Sequence, residues 1–204
     1  MLTFDHIAVS GQTLAEATTY VAERLGVGLQ VGGEHAVFHT HNTLLGLEDG
    51  LYAEAIAINP KAPKPDRPRW FDLDRFSGPA RLTNWICRTD DIDAVVARMP
   101  DGAGKPVALQ RGALKWRMVV PDDGILPFDN FWPAVIQWDV DLHPAQSLEP
   151  SGVRMQSFKI THPDAGALSA ALAPLIADDR IEIVEGDAPS LSAAFETPGG
   201  IRSL

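Results

Sequence analysis

The chain has 204 residues, 45% of them hydrophobic, which is enough for one substantial core or two small ones sharing an interface. A formal net charge of -10 sets a repelling field against polyanions over most of the surface, so nucleic acid is excluded as a partner, and a substrate carboxylate or phosphate would need a local basic pocket. The single Cys87 cannot form an intrachain disulfide. The opening MLTFDHIAVS carries no basic leader and no apolar run reaches about 18 residues, so the expectation is a cytoplasmic protein with no membrane partner.

Residues 2–10 read as a strand with Phe4, His6 and Ala8 on one side and Ile7 and Val9 on the other. Thr13-Leu14-Ala15-Glu16 is a capping-box pattern. Leu14, Ala17, Val21 and Leu25 follow at helical spacing, and Gly26 supplies the stop. Three β-like runs come next, over 29–31, 36–47 and 51–58, separated by the turn signals Gly32-Gly33 and Glu48-Asp49-Gly50.

After a Pro- and Arg-rich stretch over 59–79, the same order returns. A strand over 82–88 leads to a helix over 91–99 that ends at Pro100 and Gly102, followed by β runs over 107–110, 114–120 and 134–139. His6 maps to Asn84 and Val21 to Met99 at the same offset, 84 − 6 = 99 − 21 = 78, as an internal duplication would leave. On this reading Glu54 corresponds to Gln137. Past Pro150, a strand over 153–161, a helix beginning near Pro163 and interrupted at Pro174, and β runs over 180–185 and 191–195 form a shortened third copy.

The expected fold is therefore α+β: tandem βαβββ modules over 1–60 and 81–145, joined by a connector over 61–80, with a partial third βαββ module over 146–204 packed on the same unit.

FDHIAVS on the first strand and the carboxylate in LYAEAIAINP on the fourth resemble the vicinal oxygen chelate superfamily, which includes glyoxalases, bleomycin resistance proteins and extradiol dioxygenases. THNTLLGLEDGLYAEAIAINPKAP, RPRWFDLD, PAVIQWD and the final TPGG are similar to its glyoxalase-like domain branch. The resemblance implies a curved-sheet cup between the modules whose floor can hold a divalent metal. The superfamily's ligand positions fall here on His6, Glu54, Asn84 and Gln137. Two of these are neutral amides, a weak donor set for a divalent ion. Without an ion, Glu54 and His6 would still offer a base and an acid for proton transfer beside a carbonyl, or else an interior ion pair.

Around this pair, His41 and Asn42 in the THN string alternate on one strand, so one of the two approaches the cup; Trp116 and Arg117 pose the same choice. Parity directs Trp85 and Trp138 away from it. Arg67 and Arg69 beside Trp70 and Phe71 either clamp a substrate carboxylate or staple the modules, and the staple is favoured. His41, Asn42, Trp116, Arg117 and Arg69 are thus the candidate ligand-binding residues. No GxGxxG, Walker loop, nucleophile elbow, HExxH or CxxC pattern occurs, so neither nucleotide nor flavin is expected. Two functions follow: a lyase, isomerase or dioxygenase-type enzyme acting on a small carbonyl or hydroxy acid, or a non-catalytic small-molecule binding or sequestration protein. A third option is a scaffold, with the exposed edges of the curved sheets or the third copy serving as a homodimer face.

Overall fold

The structure is a computed structural model describing residues 1–204. It begins with strand β1 (Thr3–Ser10) and helix α1 (Leu14–Leu25). Thr13 Oγ1 accepts from the Glu16 N–H at 3.1 Å, and Gly26, at φ 73°, closes the helix by donating its N–H to the Ala22 carbonyl. Ala17, Val21 and Leu25 are buried, so the apolar stripe in the sequence is the face that packs.

β2 (Gln30–His35), β3 (Thr40–Leu47) and β4 (Leu51–Ile58) complete the first module. Gly32-Gly33 is not the turn expected there. It lies inside β2, at a register shift between Val31 and Gly33, and the chain reverses over 36–39 with His39 at φ 51°. The glycines make room. A Cβ on Gly32 would stand 2.0 Å from Asn42 Oδ1, and one on Gly33 2.7 Å from Arg111 Cδ.

The second module consists of β5 (Arg81–Arg88), α2 (Ile92–Val96), β6 (Lys105–Arg111), β7 (Leu114–Val120), the single-turn α3 (Pro127–Asn130) and β8 (Ala134–Trp138). Helix α2 stops earlier than the sequence suggests. Asp91 caps it through the Ala94 N–H at 3.0 Å, but two adjacent β-branched valines and the approaching Pro100 leave only turns beyond Val96.

All eight strands join one sheet in the order β2-β3-β4-β1-β5-β8-β7-β6. Each module's first strand runs parallel to its own fourth, and β1 and β5 meet antiparallel at the centre. The sheet curls until its edges β2 and β6 approach, with Gly33 against the Arg111 stem. The concave side is the cup.

The short helix α4 (Pro144–Ser147) leads into β9 (Arg154–His162), α5 (Ala165–Leu172), β10 (Ile181–Glu185), β11 (Ser190–Thr197) and β12 (Gly200–Ser203), a second sheet ordered β10-β9-β11-β12. Helix α5 ends before Pro174. Strand β12 is one more than expected, because Thr197-Pro198-Gly199-Gly200 turns a hairpin, Gly200 taking φ 99°. Phe158 on β9 packs against Phe4 and Trp85, each with ring centroids 5.4 Å away, so this unit covers the convex side of the large sheet. One continuous core runs through all three modules. No helix is long and apolar enough to cross a membrane.

Candidate active site

The register of β1 against β5 shifts between Phe4 and His6. This bulge separates two residues expected on one side: Phe4 packs outward against Trp85, while Asp5 turns inward beside His6. Asp5 is 0% exposed, and its carboxylate is surrounded by donors. Oδ1 lies 2.6 Å from His6 Nδ1. Oδ2 accepts from His143 Nε2 at 2.9 Å and Trp138 Nε1 at 3.2 Å, with Arg88 Nη1 3.5 Å away. Burial alone would raise the Asp5 pKa, but the hydrogen bonds from His143 and His6 outweigh it and hold the carboxyl below its usual range.

These contacts fix the tautomers. His143 Nδ1 accepts from the Ala145 N–H at 3.2 Å, so its proton is on Nε2, facing Asp5. His6 correspondingly carries a proton on Nδ1 and presents Nε2 to the cup. There Nε2 lies 3.4 Å from the Tyr52 hydroxyl and 3.8 Å from Glu54 Oε2. Both separations are longer than a good hydrogen bond, which leaves Nε2 and Oε2 free for a ligand. The Tyr52 ring stacks on the imidazole, with centroids 4.1 Å apart. Burial, followed by the charges of Asp5 and Glu54, pushes the Tyr52 phenol well above its ordinary pKa.

Glu54 Oε1 accepts from Asn42 Nδ2 at 2.5 Å. Asn42 Oδ1 in turn accepts from the Gly33 N–H at 2.8 Å and from Arg111 Nη1 at 3.1 Å. His35 closes the group. Its Nδ1 donates to Thr40 Oγ1 at 2.9 Å, and its Nε2 faces donors on Arg111 and Asn42 at 3.4 and 3.5 Å. Burial and then the Arg111 charge push its pKa down to about 3, so His35 is neutral. His6, Tyr52, Glu54, Asn42, His35 and Arg111, with Leu44, Trp70, Phe71, Trp116, Met118, Ile136 and Trp138, line a partly open cavity of about 30 Å³, room for roughly one water.

His6 and Glu54 thus meet, and Asn42 and Trp116 line the same cavity, whereas the other expected residues lie elsewhere. Gln137 points outward, where its Oε1 accepts from the Ile92 N–H at 2.9 Å and caps α2. The pairings Ala8 with Glu54 and Ile86 with Ala134 make Ala134, not Gln137, the counterpart of Glu54, so the expected correspondence was out by three residues. Asn84 shares the inner side of β5 but sits beyond the cavity, its Oδ1 3.5 Å from Asn130 Nδ2 and its own Nδ2 without a partner. The four-residue metal set is therefore not assembled, and no three or more His, Cys, Asp or Glu side chains are grouped to hold an ion. The donors do not fit a divalent metal.

His41 faces outward with Thr43, whose hydroxyl meets Thr18 of α1 at 2.8 Å. Arg117 also faces outward, 3.3 Å from Asp139 and 3.5 Å from Asp93. Arg69 pairs within the connector: Nη1 reaches Asp74 at 2.5 Å and its N–H reaches the same carboxylate at 2.8 Å. Trp138, expected in the helix layer, lines the cup 5.6 Å from Trp116, because Gln137 beside it took the opposite side.

Sequence reasoning missed Asp5, His35, Tyr52, Arg111 and His143. Strand parity with Glu54 was an available signal for Tyr52. For Asp5 and Arg111 there was none, since one depends on a bulge and the other on the curl that brings β6 to β2.

A family profile described as Glyoxalase-like domain matches residues 4–176. No curated protein sequence gives a significant match. Among solved structures, a hypothetical protein from Staphylococcus aureus is similar at 15% identity and TM-score 0.62, covering 93% of this chain and 88% of that one. A methylmalonyl-CoA epimerase from Streptomyces coelicolor is similar at 17% identity and TM-score 0.44 over 71% of this chain and 100% of that one. The Mycobacterium tuberculosis methylmalonyl-CoA epimerase gives 16% and 0.39 over 66% and 85%. With the profile spanning both modules and the start of the third, the chain belongs to the glyoxalase-like domain family.

Proposed function

We propose that the chain is an enzyme that moves a proton at a carbon beside a carbonyl group, a lyase- or isomerase-type reaction, with Glu54 as base and His6 as acid. The observation that carries this reading is the order Asp5, His6, Glu54, with His6 and Glu54 facing each other in the pocket of the cup. A buried carboxylate hydrogen-bonds Nδ1 of an imidazole whose Nε2 faces, at 3.8 Å, the one oxygen of Glu54 that no other side chain engages. Glu54 Oε2 takes the proton. The C–H electron pair then becomes a carbon–carbon double bond, and the carbonyl π pair moves onto oxygen. For this step His6 takes up a second proton, from solvent, on Nε2; that Nε2–H donates to the oxygen, Asp5 stabilises the imidazolium, and the proton is returned when the carbonyl re-forms. Return of the proton to the same or a neighbouring carbon completes an isomerisation.

The burial of Glu54 supports the scheme, because low local dielectric strengthens each of these interactions. A non-catalytic binding cup is the second reading. It is favoured by the donor set around His6 and Glu54, which does not fit a catalytic divalent ion; in either reading a wall must move to admit an organic ligand. Buried Cys87, whose thiol is pushed up by burial, suits a reducing cytoplasm.

The test compares wild type with Glu54→Gln, His6→Ala and the outward-facing Arg117→Ala, following conversion of small enolisable 2-oxo and 3-oxo acids by proton NMR. The expected result is conversion by wild type and Arg117→Ala, reduced by about 10²–10⁴ in the first two variants. Equal rates in all four would contradict the assignment.

A further inference from the structure

The proton-transfer scheme leaves one charged group in the cup unused. Arg111, the last residue of β6, is the only lysine or arginine among the residues lining the cavity. No carboxylate lies within 4.0 Å of its guanidinium, whereas Arg69, Arg75, Arg88, Arg117, Arg154 and Arg180 each have one. Its partners inside the protein are neutral: Asn42 Oδ1 at 3.1 Å and His35 Nε2 at 3.4 Å, both reached by Nη1. Nε and Nη2 make no hydrogen bond within the protein. Those two nitrogens form an edge that can take a carboxylate side-on through paired N–H bonds.

We propose that Arg111 is the anion anchor of this site, so that the substrate is a small carboxylic acid whose carboxylate docks on the guanidinium while its enolisable carbon faces Glu54. This rests on the proton-transfer reading for the second half of the assignment and not for the first.

Three features point the same way. In a chain of net charge -10, an anion needs a local cation, and Arg111 supplies it. Gly33 gives the Arg111 stem its place, since any Cβ there would stand 2.7 Å from Cδ. Asn42 links Arg111 to Glu54 through two hydrogen bonds, of 3.1 and 2.5 Å, so the distance from anchor to base is set by one side chain.

Binding is tested on the Glu54→Gln protein, which cannot perform the proposed proton step, by NMR titration with 2-oxobutyrate, acetoacetate and the neutral amide of each. The same titration is run with Arg111→Met and Arg111→Lys added. The expected result is that at least one acid binds about ten- to hundredfold more tightly than its amide, that Arg111→Met removes the preference, and that Arg111→Lys keeps part of it. Equal binding of acid and amide, a preference that survives Arg111→Met in a folded protein, or no binding of either acid at millimolar concentration overturns the proposal. Acid binding through Arg111 without any turnover in the wild type would instead overturn the proton-transfer reading and leave the anchor standing.

Discussion

His6 Nδ1 lies 2.6 Å from the carboxylate of Asp5, the residue directly before it, and a β-bulge is what lets two consecutive side chains face the same cup. In a regular strand they would point to opposite sides. The bulge thus creates the carboxylate–imidazole pair. Replacing Asp5 tests it. Asp5→Asn leaves donors from His6, His143 and Trp138 facing an amide, and should cost about 3 kcal/mol of stability in urea melts. In ¹⁵N NMR of the neutral ring, His6 should hold its proton on Nδ1 in wild type and lose that preference in the variant. Trp138→Phe, which removes one donor only, should leave the His6 tautomer as it is.

His35 makes stability depend on pH. Its folded pKa of about 3 lies below the ordinary histidine value of 6.5, so between these the unfolded chain binds a proton that the folded protein does not. Stability is full above 6.5 and falls as pH drops toward 3. Between pH 6.5 and 5 the loss should approach about 2 kcal/mol, at 1.36 kcal/mol per pH unit. Urea melts should show a shallower slope over this window in His35→Asn. Asp5, whose pKa is lowered in the fold, adds a further loss only below the ordinary carboxylate range.

Gln137 should behave as a helix cap. Gln137→Ala removes the acceptor for the Ile92 N–H and should cost about 0.5–2 kcal/mol. Elemental analysis should give the same divalent-metal content for Gln137→Ala, Asn84→Ala and wild type, since neither amide reaches the His6–Glu54 cavity.

Gly33→Ala should weaken carboxylate binding more than it weakens the fold. The new methyl group displaces the Arg111 stem from 2.7 Å, while Gly33 itself has an ordinary strand φ. The expected outcome is a loss of acid-over-amide preference in NMR titration, with a melting temperature close to that of wild type.

Much of the framework was legible from local chemistry. Thr13 and Gly26 mark α1 because caps act through their immediate neighbours, and the duplicated order of elements announced the two modules. His6 and Glu54 could be brought together on paper because β1 pairs with β4 inside one module. The second module defeated the same reasoning. Its fourth strand pairs at an offset of 80 (Glu54 to Ala134) instead of 78, and the odd three-residue error in the assumed alignment put Gln137 in place of Ala134, with its side chain on the wrong side. Arg111 and His35, 76 residues apart, meet only because the whole sheet curls, and no local pattern encodes that closure.

Glu54 as a carbon base is tested most directly by incorporation of solvent deuterium at the carbon beside the carbonyl of a bound acid, measured by mass spectrometry in D₂O with wild type and Glu54→Gln. The expected result is enzyme-dependent exchange above the spontaneous rate in wild type, and exchange no faster than spontaneous in the variant. Exchange at the spontaneous rate in both, with an acid demonstrably bound in the cup, would contradict it and leave a binding protein.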